Sequence, residues 1–177
     1  MLAGTLAVGA TEVLPAVAFA ALLHEGGHLL FLRIFRVYVE GISFTAFGAE
    51  IRADTRYLSY GKDIICTLAG PLLNILAAYI LARTAGAYLS AGANLLQGCF
   101  NLLPLTGLDG ARALHLLLCR LMDPVRADRI SRTVELAAAV LIVVIVLYLM
   151  VRHSTGGFLL MAVSGVFISI WRELAGK

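Results

Sequence analysis

Residues 13–35 read VLPAVAFAALLHEGGHLLFLRIF, a largely apolar run with His24, Glu25 and His28, followed by Arg33, set toward its C-terminal end. A spanning helix needs ~20 mostly apolar residues, and this run supplies them. Ionisable groups inside such a segment are costly and mark function by default. His24-Glu25-Gly26-Gly27-His28 is an HExxH pattern. On a helix, positions i and i+4 share a face, so both imidazoles can be aimed at one ion. Glu25 follows His24 directly, within reach of a water on that ion. Two histidine ligands with a glutamate as general base is the zinc-hydrolase use of this spacing. The blander reading is a helix end whose histidines sit at the membrane interface. Glycine pairs weaken a helix, so Gly26-Gly27 points to close packing or backbone access.

Working outward, the whole chain agrees with a membrane setting. It has 177 residues, 60% hydrophobic and 14% charged, with a mean hydropathy of +0.91. Soluble domains carry about 25% charged residues. Nothing resembles a dense basic stretch with interleaved aromatics, so nucleic acid is not an expected partner. Cys66, Cys99 and Cys119 lack CxxC spacing and read as small apolar packing residues. The N-terminus lacks the basic region of a cleavable signal peptide. Residues 1–10 are apolar but too short to span alone. They read as a remnant of an earlier helix or an interfacial segment.

Residues 37–51 change character. β-Branched and aromatic residues punctuated by Gly41 and Gly48 predict a short hairpin. Residues 63–83 predict a second span, interrupted near its start by Gly70-Pro71. Residues 88–103 predict a third, short and broken at Pro104. A break at membrane depth is tolerated only where protein or a wet cavity satisfies the freed backbone. Residues 111–122 predict a short amphipathic helix ended by Asp123-Pro124. Residues 134–151 and 158–171 predict two plain apolar spans. The expected fold is an all-α polytopic membrane protein of about five to six transmembrane helices, with a membrane-associated β-hairpin after the HExxH helix. It forms a single domain over residues 1–177.

Charge gives an orientation. If the His24 helix exits on one side, Arg33, Arg36, Arg52, Arg56, Lys62, Arg112, Arg120, Arg126, Arg129, Arg132, Arg172 and Lys177 share that side. Only Arg83 and Arg152 fall opposite, which accounts for all 14 basic residues. Basic loops face the cytoplasm, so His24, Glu25 and His28 lie toward the cytoplasmic face of a cell membrane.

A catalytic zinc takes three protein ligands and keeps one position open. Asp109, between Gly107 and Gly110 on the same side, is the natural third ligand. It also suits the N-cap of the following helix, and the two roles are compatible. His115 and His153 read as structural, and Asp63 and Glu50 as loop or interface charges. Asn74 and Asn101 are amides in or near spans, and each needs a partner. The partner is either a neighbouring helix, or the substrate backbone and the oxyanion formed as water attacks.

Three segments occur in order: His24–His28, Ala69-Gly70-Pro71-Leu72-Leu73-Asn74, and Phe100-Asn101-Leu102-Leu103-Pro104 running on to Asp109-Gly110. Together they resemble the site-2 protease family of intramembrane zinc metalloproteases, and most of all its compact bacterial branch, typified by stage IV sporulation protein FB. The resemblance covers residues 13–118. It implies Zn²⁺ held by His24, His28 and Asp109, Glu25 as the catalytic base, and Asn74 and Asn101 as substrate-binding amides. It implies hydrolysis of a membrane-embedded or membrane-tethered protein near the cytoplasmic face, such as a tethered transcription-factor precursor, with a membrane inhibitor protein as a further partner. Neither a PDZ nor a CBS domain is expected. The chain departs from the family in carrying Thr106-Gly107 where a proline-containing turn is common. Two rival classes are an inactive membrane scaffold and a zinc transporter or sensor. Transporters place ligands near the midplane at repeat interfaces, and this chain has no internal repeat.

Overall fold

The computed structural model describes the backbone of residues 2–45 and 48–153, and the side chains of residues 12–41, 51–149 and 152. The expected span at 158–171 lies outside the described residues. The chain divides into two compact units, Met1–Leu102 and Leu103–Lys177.

In the first unit, helix α1 runs over Leu2–Ile34, with Pro15 inside it. The apolar residues that were too short to span alone are thus the opening turns of the HExxH helix. The helix stops in a tight backbone motif. Arg36 takes a positive φ of 57°, its N–H donates to Arg33 O at 3.0 Å, and the Val37 N–H donates to Leu32 O at 2.9 Å. These are the two reverse bonds of a Schellman cap, here with arginine where glycine is usual.

The chain then enters strands β1 (Val39–Thr45) and β2 (Gly48–Ala53). They pair antiparallel as the sequence predicts, with Thr45 opposite Gly48 and Ile42 opposite Ile51. The register slips between Val39 and Gly41, so Glu40 is the extra residue of a bulge. Beyond β2, Arg56 Nε and Nη2 donate to the two carboxylate oxygens of Asp54, each at 2.9 Å. That side-chain hydrogen bond holds the Asp54 carboxyl below its ordinary range.

Helix α2 spans Tyr60–Leu81. The sequence suggested an interruption at Gly70-Pro71, yet the helix runs through it. Pro71 is buried among small residues, so the acceptor it leaves unfilled is covered by neighbouring helices rather than by lipid. Its buried residues include Asp63, Cys66, Thr67, Gly70, Asn74 and Ala78, an i, i+3, i+4, i+7 stripe. Helix α3 covers Tyr88–Asn101 and buries Ala91, Asn94 and Gly98 at the same kind of spacing. Helices α1, α2 and α3 pack on one another. Small residues on facing stripes let backbones approach closely, which is how helices associate where lipid removes the hydrophobic drive.

In the second unit, α4 spans Asp109–Leu121 and α5 spans Pro124–His153. Asp123-Pro124 ends α4 as expected, and it also begins α5. Asp123 Oδ1 accepts the N–H of Val125 at 3.0 Å, and proline stands first in the helix, where its missing N–H costs nothing. Helix α5 therefore begins ten residues before its apolar stretch, through a charged segment that includes an Arg132–Asp128 ion pair at 3.1 Å. The unit's core is Leu105 and Ala139, with Leu103, Leu108, Ala138, Ile142 and Val143 around them.

Among the described residues, three segments are long and apolar enough to cross a membrane: Glu12–Ile34, Tyr60–Leu81 and Pro124–Leu149. Helix α3, at 14 residues, is about 21 Å long and falls short of a full span.

Candidate metal centre

The helical spacing of HExxH does what it predicts. His24 and His28 lie edge to face, their ring centroids 4.8 Å apart, and their Nε2 atoms approach to 3.2 Å. His24 is only 5% exposed. The His28 ring is held from its other side, with Nδ1 2.8 Å from Cys66 O. A carbonyl can only accept, so Nδ1 carries the proton. A neutral His28 then turns a lone pair on Nε2 toward His24. This is the outer-shell arrangement that fixes a ligating histidine's tautomer and ring plane. Two nitrogens each ~2.0–2.1 Å from one tetrahedral zinc stand about 3.3 Å apart. The observed Nε2–Nε2 separation of 3.2 Å matches that spacing.

Two glycines make this possible. A Cβ on Gly27 would lie 2.7 Å from Ala69 O, and one on Gly70 would lie 2.7 Å from His28 Cε1 and 2.9 Å from His24 O. The His28 ring occupies the space a side chain at position 70 would need. On the far side of the same α2 segment, a Cβ on Gly98 would meet Pro71 O at 2.9 Å. The Ala69-Gly70-Pro71 segment is thus clasped between α1 and α3. Gly26 is different, since nothing lies within 4 Å of where its Cβ would stand. The close packing read from the glycine pair belongs to Gly27 alone.

Glu25 is half-buried, next to His24. Asn74 is fully buried, at 0% exposure, and its Nδ2 donates to Ala20 O on α1 at 3.3 Å. Its Oδ1 accepts no hydrogen bond among the described residues. Asn101 is half-buried, and its Nδ2 donates to Gln97 O one turn back at 3.1 Å. In each amide, then, the donor end is engaged by helix backbone. In the second unit, Asp109 is the first residue of α4, while the cap position belongs to Leu108. A carboxylate in a first turn is favoured by the helix dipole.

His115 lies on α4 with Nε2 3.4 Å from Cys119 Sγ, and His153 ends α5. The Glu50 side chain lies outside the described residues. Asp63 differs from its expected interfacial role. It is buried at 8% exposure in the first turn of α2, one turn before Cys66. Sequence reasoning missed the part Cys66 plays, because its contribution is a backbone carbonyl. The usable signal was its place one turn before Gly70 on the stripe facing α1.

No protein-family profile matches the chain, and no curated protein matches it. Among solved structures it is similar to the site-2 protease from Methanocaldococcus jannaschii. The likeness covers 89% of this chain and 75% of that one, with a TM-score of 0.67 and 21% sequence identity. The chain has the fold of a site-2 protease.

Proposed function

We propose that the chain is an intramembrane zinc metalloprotease in which His24, His28 and Asp109 hold one zinc ion and Glu25 is the general base. The observation that carries this reading is the His24–His28 pair, whose Nε2 atoms converge to 3.2 Å while Cys66 O steers His28. Two imidazoles and a carboxylate are a donor set catalytic zinc takes, and the site-2 protease fold supports the same chemistry.

When bound, zinc acidifies the attacking water and polarises the scissile carbonyl. Glu25 takes the proton as water oxygen bonds to the carbonyl carbon, and returns a proton to the amine nitrogen as the C–N bond breaks. The substrate is a membrane-embedded or membrane-tethered protein, cut near the cytoplasmic face. A helical substrate hides its peptide bonds, so it must be held extended. The β1–β2 hairpin, whose strands pair only with each other among the described residues, can add such a segment by main-chain hydrogen bonds. Asn101 is the amide we assign to the substrate side. Asn74, fully buried against α1, is assigned to support the helix pair beneath the histidines.

Zinc content per chain tests this on detergent-purified protein. We expect one zinc in the wild type and in Glu25→Gln, and loss of zinc in Asp109→Ala. Folded wild-type protein without zinc overturns the reading. Glu25→Gln should retain zinc yet lose cleavage of a membrane-tethered reporter by at least a hundredfold, the scale of general-base catalysis. Full activity in that variant sinks the assignment of the base. Zinc flux into proteoliposomes would favour transport instead.

A further inference from the structure

The second unit holds a carboxylate that the proposed chemistry leaves unused. Glu135 lies on α5, inside the segment apolar enough to span, where an acidic group is costly and persists for a reason. Both its oxygens are engaged. Ser131 Oγ donates to Oε1 at 2.8 Å, and Thr106 Oγ1 donates to Oε2 at 2.8 Å. Ser131 is one turn earlier on the same helix and buried, so it holds the carboxylate in one orientation. Thr106 comes from the loop between α3 and α4, the loop that ends at Asp109.

The same loop is anchored to α5 a second time. Leu105 is buried against Ala139, one turn beyond Glu135. Within the loop, the Leu105 N–H donates to Leu103 O at 2.9 Å and the Leu108 N–H to Leu105 O at 3.0 Å. Gly107 has a φ of +90° and supplies the one freely turning residue between Thr106 and Asp109. The apolar contact sets where the loop lies. The hydrogen bond sets how it is rotated about its own axis, which a leucine packed among aliphatic neighbours cannot do. That rotation decides where the Asp109 carboxylate points.

We propose that Glu135 is a positioning residue, which grips Thr106 so that the loop presents Asp109 as a metal ligand. This rests on the zinc reading above. The test is zinc affinity of the full chain by chelator competition, paired with hydrogen exchange of the amides at 105–110. Thr106→Val and Glu135→Ala should each weaken zinc binding about tenfold, as loss of an outer-shell partner does. Because the two act as one unit, the double variant should lose no more than the worse single. Glu135→Gln, whose amide oxygen still accepts from Thr106, should recover most of the affinity. Exchange at 105–110 should quicken alike in Thr106→Val and Glu135→Ala. Unchanged zinc affinity with only a lower melting temperature overturns the proposal, and so do additive losses. If Glu135→Ala does not fold, the near-isosteric Thr106→Val carries the test. If wild-type protein holds no zinc, the zinc reading falls and exchange alone decides the grip, with equal rates in wild type and Thr106→Val refuting it.

Discussion

Position 70 shows how much one atom decides. The His28 ring lies where a Cβ at residue 70 would stand, and the His24 carbonyl is close on the same side. Gly70→Ala must push α1 from α2 or turn His28 off its Cys66 acceptor. Overpacking of this kind costs about 1–3 kcal/mol, and here it falls on the histidine pair. We expect Gly70→Ala to lower the melting temperature in detergent and to lose most bound zinc. Gly26→Ala, with open space around it, should change neither. Equal behaviour of the two variants would show that the close approach does not govern the site. The approach of the two histidines was legible in the sequence, because HExxH spacing on a helix is a side-chain signal. Cys66 was not, because a backbone acceptor has no signature, and Asp63 was read as interfacial because burial depends on which helix lies opposite.

Helices and strands were legible where their patterns were local. The hairpin was announced by β-branched residues between glycines, and α4 by its alternating leucines and arginines. Two boundaries were not. Gly70-Pro71 reads as a breaker, but tertiary packing on both sides carries α2 through it. Helix α5 begins within a charged segment that hydropathy passes over, and its true start lies in the Asp123 cap. The Arg36 cap turns the chain sharply from the HExxH helix into the hairpin, so helix and strand are joined by four residues, from Phe35 to Tyr38. If the hairpin edge holds substrate, proline at alternate positions of one strand, where N–H groups point outward, should cut cleavage at least tenfold. Zinc content should not change. Cleavage indifferent to every proline from 39 to 53 would remove the hairpin from substrate binding.

Across the whole molecule, the sequence carries an orientation that no single element reveals. If the apolar segments alternate in direction, the bias of the basic residues predicts the loop after β2 and the start of α5 on one side, and the turn near Arg83 on the other. The expectation is a cytoplasmic first side. With the native thiols removed, single cysteines at Tyr57 and Val125 should react with an impermeant reagent only from the cytoplasmic side of oriented vesicles. One at Thr84 should react only from the opposite side. Any other pattern would reverse or break the assigned topology. What no pattern in the sequence revealed was that residues 103–153 form a unit with its own core. Leucines at 103, 105 and 108 look like more of the membrane-facing surface until Ala139 is seen against them.

The bond between His28 and the Cys66 carbonyl joins residues 38 apart in the chain, and that separation is also an interval of time. At ~5–20 residues per second, roughly 2–8 s pass between synthesis of the histidine and of the group that steers it. The first helix leaves the ribosome with both imidazoles but without their orientation. Chains arrested just after residue 60 should bind zinc weakly, and chains arrested after α2 has inserted should bind it measurably better. On the proposed zinc reading, the metal site would be a product of biosynthetic order, and zinc loaded too early would meet a helix not yet able to keep it.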